Sequence, residues 1–285
     1  MHKICFALML LAACQSGAAD RAQLPDSSLA TVSGGKKALD AQVQACLHNI
    51  ANVNTYGYKL RRVVLSELAP PRTDRDGRGV HTGLDIGRGV MVSTVITDMR
   101  PGALEATGRK LDIAVTGRGF FQVRMHNGAK AYTRNGSFTI DCQSRMVTQS
   151  GYLVLPEITF PQDVIQIGFN PNGSICITTA TSPNSRTPLG QLQLARFMHP
   201  EALRPVGSGL FKATETGSGM PIVGNPGDRS SDIGNLLQAH LESSNVNIEE
   251  EAWQLTRLRR QLGMFEALFA PEISSGKILS ASFRR

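Results

Sequence analysis

The chain has 285 residues, 41% of them hydrophobic, 19% charged and 6% aromatic, with 28 glycines, a profile that is neither disordered nor collagen-like and whose length suggests about two domains. Its longest apolar stretch, residues 4–13, falls far short of the about 20 residues that cross a bilayer, which argues against an integral membrane protein. The net charge of +7 raises nucleic-acid binding, but Arg61-Arg62, Arg257 with Arg259-Arg260, and Arg284-Arg285 are scattered and without interleaved aromatics, so no nucleic acid is expected.

Residues 1–26 have the layout of an export leader: a short polar start at His2 and Lys3, an apolar run, then small residues. Gly17, Ala18 and Ala19 suit ordinary cleavage, whereas Leu11-Ala12-Ala13-Cys14 resembles a bacterial lipobox and makes Cys14 a candidate lipidation site, the one route to a membrane. A buried helix or a start codon placed too early are the alternatives. The five cysteines are an odd number at unpatterned spacings, so no disulfide framework is expected. No C-x-x-C occurs and the six histidines form no recognisable zinc-binding pattern; no metal and no cofactor are expected.

From Ala38 to Val53, Leu39, Val43, Cys46, Leu47, Ile50 and Val53 recur every three or four positions, which predicts a helix with one apolar stripe. Gly34-Gly35 upstream, and Asn54 and Gly57 downstream, read as its limits. The Pro- and Gly-rich stretch from Ala69 to Gly89 reads as an extended arm or linker within 61–99. Strands are expected from Leu111 onward, where residues 111–115 and then Phe121, Val123 and Met125 alternate with a period of two. Asn127-Gly128, Asn135-Gly136 and Asn172-Gly173 supply hairpin turns, the last of them between 165–167 and 174–177. Residues 100–221 therefore read as a mainly antiparallel β domain, followed by a linker over 222–235.

In the last segment, 236–285, Ile248, Leu255, Leu262 and Phe269 stand seven apart with Leu258 and Phe265 between them, the seam of a coiled coil. Asn247 can cap this helix with Glu250 reaching back, and Pro271 should stop it. The alternative is a single amphipathic helix lying on the β domain. The fold class expected is α+β: a discontinuous N- and C-terminal helical domain, formed by residues 27–60 and 236–285, with the β domain inserted.

None of G-x-S-x-G, G-x-x-x-x-G-K-[ST] or H-E-x-x-H is present, and Gly83 to Gly89 lacks dinucleotide-loop spacing; no enzyme is expected. Apolar stripes that one subunit cannot bury suit packing against neighbouring subunits.

Four segments carry a family resemblance. Residues 49–59, Asn-Ile-Ala-Asn-Val-Asn-Thr-Tyr-Gly-Tyr-Lys, resemble the end of the first helix in bacterial flagellar rod and hook proteins. Residues 111–123 with 131–138 are similar to their β core, and 190–197 with Pro205-Val206-Gly207 resemble the distal-rod branch in particular. Residues 241–248, Leu-Glu-Ser-Ser-Asn-Val-Asn-Ile, resemble the approach to the C-terminal helix. The resemblance implies a non-enzymatic subunit of the flagellar drive shaft, located in the basal body across the periplasm, with helices inside and β domain outside. Its implied partners are copies of itself in a helical homo-polymer, other rod and hook subunits, and the flagellar export apparatus. The contacts would come from Leu39, Val43, Ile50, Val53, Ile248, Leu255, Leu262 and Phe269 of the same and adjacent subunits. Departures from the pattern are Tyr56, Gly263 in the C-terminal helix, and the leader-like residues 1–26. The competing reading, an exported periplasmic or cell-surface lipoprotein with a β-rich binding domain, rests on Cys14; an exported hydrolase on a β scaffold has no motif in its favour.

Overall fold

Between one helix near each end, the polypeptide is built of short strands. A computed structural model describes residues 26–68, 89–214, 217–228 and 230–274, and among these it has two α-helices, α1 (Asp26–Ala51) and α2 (Ile248–Ser274), and eighteen strands. The leader-like segment and Cys14, like the Pro/Gly-rich residues 69–88, lie outside the described residues. The architecture is mostly β, which corrects the α+β expectation of a discontinuous helical domain with an inserted β domain. Strands occupy the region read as an arm (61–99), the region read as a linker (222–235), and the start of the region read as helical (236–247). The reason is local: Arg61–Glu67 and Val90–Thr97 are rich in Val, Ile and Thr, whose branched side chains favour pleated backbone, and the prolines between them mask that signal.

Those two segments, β1 (Arg61–Glu67) and β2 (Val90–Thr97), form an antiparallel hairpin from Arg61 opposite Thr97 to Glu67 opposite Val90, with an irregularity between Val64 and Leu65. Its base at the far end is closed by the Leu68 N–H donating to the Gly89 carbonyl at 2.9 Å. Helix α1 lies against this hairpin and against α2. It runs straight through Gly34-Gly35, the pair read as its limit. A Cβ on Gly34 would sit 2.8 Å from the Val90 carbonyl oxygen, and one on Gly35 would sit 3.5 Å from the Phe265 ring. Gly34 thus lets the Val90 backbone approach the helix, whereas at Gly35 a side chain would make only ordinary contact with Phe265.

The β body contains β3 (Leu104–Ala106), β4 (Ile113–Thr116), β5 (Phe120–Arg124), β6 (Lys130–Thr133), β7 (Phe138–Ile140), β8 (Met146–Thr148) and β9 (Leu153–Leu155). Then follow β10 (Val164–Phe169), β11 (Ser174–Thr179), β12 (Ser182–Gln191), β13 (Leu194–Arg196), β14 (Arg204–Gly207), β15 (Leu210–Lys212) and β16 (Ile222–Gly224). The last two strands are β17 (Asn235–Gln238) and β18 (His240–Glu242). The largest sheet runs β14-β15-β6-β5-β9-β8-β7, with β13 joining β5 to β16; β10-β11-β12 form a second sheet, and β17 and β18 return to pair with β4 and β3. These pairings are antiparallel. Asn127-Gly128 and Asn172-Gly173 join β5 to β6 and β10 to β11, with positive φ at both glycines. Asn135-Gly136 instead separates β6 from β7, which do not pair. A Cβ on Gly136 would lie 1.6 Å from the Ile113 carbonyl oxygen, so this glycine admits a crossing backbone. Ile113, Phe121, Val123, Phe138, Met146 and Leu194 anchor a core shared by both larger sheets, with Phe121 and Phe138 edge-on at 5.0 Å.

Asn247 caps α2, its Oδ1 accepting from the N–H groups of Glu249 (3.0 Å) and Glu250 (3.4 Å). The helix passes Gly263 and continues through Pro271, which was expected to stop it. A proline removes its own hydrogen bond and crowds the carbonyl four residues back, a local cost that falls here on the last turn, with three residues of helix beyond Pro271.

Candidate functional site

The two helices meet as an antiparallel pair. Lys36 bridges to Glu266 at 3.0 Å, Gly35 faces Phe265, Val43 and Cys46 pack with Leu258, and Asn49 reaches Glu251. Of the predicted assembly residues, Leu39, Val43 and Leu255 meet in this one cluster inside a single chain, with Leu47 beside them. Val53 packs instead with Tyr58, Leu60 and Val246 beyond the end of α1. Ile50 and Leu262 are half-buried, Phe269 lies 4.9 Å from the Phe265 ring, and Ile248 is 50% exposed.

At about 3.6 residues per turn, Leu255, Leu258, Leu262, Phe265 and Phe269 occupy one side of α2. Trp253, Arg257, Arg260, Met264 and Leu268 occupy the opposite side. This second side is outward: Trp253, the only tryptophan, is 78% exposed, Met264 54% and Leu268 75%. A groove of about 610 Å³ lined by Asn247, Glu249, Glu250, Trp253, Gln254 and Arg257 opens at its N-terminal end. Heptad spacing follows the first stripe; the second is carried by the spacing of Trp253, Met264 and Leu268.

Where the helices join the β body, the contact turns polar. Asn49, 1% exposed, donates to Glu251 Oε2 (3.0 Å) and to the Arg61 carbonyl (2.9 Å), while its Oδ1 accepts from the Tyr58 hydroxyl and the Arg61 N–H, both at 3.0 Å. Asn245 ties the same turn to the strands, accepting from the Leu60 N–H (2.8 Å) and donating to the carbonyls of Asp98 (2.9 Å) and Arg100 (3.0 Å). Deeper still, the side chains of Lys59 and Glu242 are fully buried and bonded to each other. Lys59 Nζ also donates to the Arg100 carbonyl at 2.8 Å, and the Gly102 N–H donates to Glu242 Oε1 at 3.0 Å. The Gly57 N–H closes on the Glu242 carbonyl at 2.7 Å. Arg134 Nη1 stands 3.5 Å from Glu242 Oε2 while its Nη2 donates to the Gly117 carbonyl at 2.7 Å and the guanidinium lies 5.2 Å from the centre of the Phe120 ring.

Burial pulls Lys59 below its ordinary lysine value, against the pull of the Glu242 carboxylate, and burial likewise lowers Arg134. Tyr58 is pushed up to about 12, first by burial, with Arg61 opposing and Glu251 adding to the rise. Burial, and then the Glu251 carboxylate, push the Cys46 thiol up to about 11. This is a structural joint: most of its polar atoms bond one another, Glu242 Oε2 and Arg134 Nε being buried without a hydrogen bond, and the described residues contain no cluster of His, Cys, Asp and Glu suited to a metal ion. The joint was not read from the sequence, where its members are far apart. Asn49, Lys59, Arg134 and Glu242 all fall within the segments that carried the family resemblance, and that was the available signal.

Residues 114–177, from β4 into β11, match the family described as "Flagellar hook protein FlgE/F/G D1 domain". The chain is 37% identical over 234 residues, 79% of its length and 86% of the relative's, to "Flagellar basal-body rod protein FlgG" of Borreliella burgdorferi. Proteins of the same name from Caulobacter vibrioides and Agrobacterium fabrum are 34% and 33% identical, over 83% and 90% of this chain and 92% and 99% of their own lengths. The chain belongs to the flagellar basal-body rod protein family. As a rod protein it is a structural subunit of the flagellar basal body. These relatives do not favour the lipoprotein reading.

Proposed function

We propose that this rod subunit polymerises with copies of itself and with other rod and hook subunits, using the outward side of α2 as a principal contact, and so transmits torque without catalysing a reaction. The observation that carries this is the two-sidedness of α2. One apolar side is consumed by α1 within the chain; the other leaves Trp253, Met264 and Leu268 in water, where an isolated subunit gains nothing from them. A contact between that side and a different patch on the next copy is heterologous, and heterologous contacts that do not close into a ring produce an open helical filament. Charge follows the same plan. Glu249 and Glu250 occupy the first turn of α2, and Arg257, Arg259 and Arg260 lie about two to three turns on, so a staggered neighbour can set opposite charges face to face. Passage through the flagellar export apparatus belongs to the same reading.

Removing residues 248–285 from the chromosomal copy tests this. The expected outcome is a β body that still folds, absence of rods in basal-body preparations and loss of swimming; normal swimming would overturn the proposal.

A further inference from the structure

Lys59, Glu242 and Arg134 come from three parts of the molecule. Lys59 follows the turn after α1, Arg134 stands between β6 and β7 in the β body, and Glu242 ends β18 shortly before α2. Two cations and one carboxylate are sealed from water at a joint that apolar side chains of similar volume could fill. Such replacements are often neutral or stabilising, because burying an ion pair costs desolvation that the mutual attraction only partly offsets. Net stability is therefore a poor account of why charges stand here.

What charges supply and apolar contacts lack is direction. Methyl groups remain in contact when one element slides or turns against another, whereas hydrogen bonds weaken steeply once angle and distance depart from their optimum. Lys59 Nζ must meet both Glu242 and the Arg100 carbonyl, Glu242 Oε1 must also meet the Gly102 N–H, and the Gly57 N–H must meet the Glu242 carbonyl. Four hydrogen bonds among three segments, 57–59, 100–102 and Glu242, are satisfied by one placement. Glu242 Oε2 is buried and, among the described residues, has Arg134 at ion-pair distance and no hydrogen-bond donor, so the directional bonds of this carboxylate run through Oε1.

We propose that Lys59, Glu242 and Arg134 form a register lock, which fixes the angle and axial position of the α1–α2 pair on the β body so that every subunit presents the outward side of α2 in one orientation. In a helical polymer each contact repeats the error of the one before, so a subunit whose helices rock by a few degrees fails in the assembly while remaining folded alone. These are positioning residues, and their consequence for the filament rests on the rod-contact reading above.

The test reads geometry and assembly separately. In the full chain with its native cysteines replaced by Ala, spin labels at Lys130→Cys on β6 and Arg259→Cys on α2 report the distance between body and helix. The lock predicts one narrow distance distribution in this parent. In Lys59→Met, and in the apolar triple Lys59→Met/Arg134→Leu/Glu242→Leu, it predicts at least a doubling of that width with the β-body urea midpoint retained. The same substitutions in the native gene should reduce swim-ring diameter at least twofold, and Lys59→Arg should recover part of both. A parental width in the triple overturns the proposal, as does loss of all cooperative unfolding in every variant, since the cluster would then be a folding core and not a lock. Truncation of 248–285 separates the two readings: a truncated chain that swims sinks the rod contact and leaves the distances to judge the lock. If truncation abolishes swimming while the triple swims and keeps the parental width, the lock alone fails.

Discussion

Phe121, Phe138, Met146, Ile175, Leu192 and Leu194 make the β-body core a continuous apolar mass, each of them fully buried. The contact between α1 and α2 has three buried apolar side chains, Val43, Cys46 and Leu258, before it gives way to Asn49 and Glu251. The difference is one of tolerance. Apolar burial is non-directional and grows with area, so the body can absorb small displacements; the helix pair depends on a few bonds whose partners must be in place. The body should therefore outlast the helices under denaturant, and the helices should be the part that substitutions and pH disturb selectively.

The largest effect should come from the body itself. Phe121→Ala empties a fully buried ring site beside Phe138 and should cost about 4 kcal/mol in urea unfolding, with strands and helices lost together. Glu242→Leu comes next: it leaves Lys59 and Arg134 buried without their carboxylate and should cost about 3 kcal/mol, more than the apolar triple costs. If the single and triple substitutions cost the same, charge has no special part in the joint. Leu258→Ala removes the central buried side chain of the helix contact and should cost about 2 kcal/mol. Hydrogen exchange should show this loss in α1 and α2, with β5, β6 and β9 unchanged; uniform loss would mean that the two regions are one cooperative unit.

The pH effect is smaller and has a definite sign. Tyr58 at about 12 and Cys46 at about 11 both hold their protons more tightly in the folded chain than at their ordinary values of 10.0 and 9.0. Their contribution is thus complete below pH 9 and is lost as the pH rises from 9 towards 12. Lys59, lowered by burial, works in the opposite direction, so the comparison must be with a variant. Cys46→Ala/Tyr58→Phe should lose stability less steeply over that range than the parent, measured by melting temperature at successive pH values. Trp253→Ala should have the smallest effect on an isolated subunit, within about 0.5 kcal/mol, because the ring lies in water. Under the proposed contact it should nevertheless impair rod formation, measured by swimming and basal-body yield.

The sequence made some of this legible and concealed the rest for physical reasons. The stripe of Leu39 and Val43 could be read because helical periodicity is a local signal, and the hairpin at Asn127-Gly128 because two residues suffice to specify such a turn. The hairpin of β1 and β2 was concealed by the Pro/Gly-rich residues between its strands, and with it the mostly β character of the chain. Gly34-Gly35 misled because a glycine pair ends a helix when considered alone, whereas here Gly34 answers to the Val90 carbonyl, which arrives from elsewhere in the chain. The joint is the extreme case: Lys59 and Glu242 are 183 positions apart, and nothing in the surroundings of either residue predicts a buried ionic partner.

The antiparallel helix pair also imposes an order in time. Asn49 and Glu251 are separated by 202 positions, and loop closure over that span must precede any contact between α1 and α2, whereas β5 and β6 meet across a short turn. A chain that emerges from its N-terminus onward therefore carries α1 with only the β1–β2 hairpin beside it until α2 arrives. The β strands can pair during that interval, and α2 then completes the environment of α1. Docking of α1 is in this sense gated by α2.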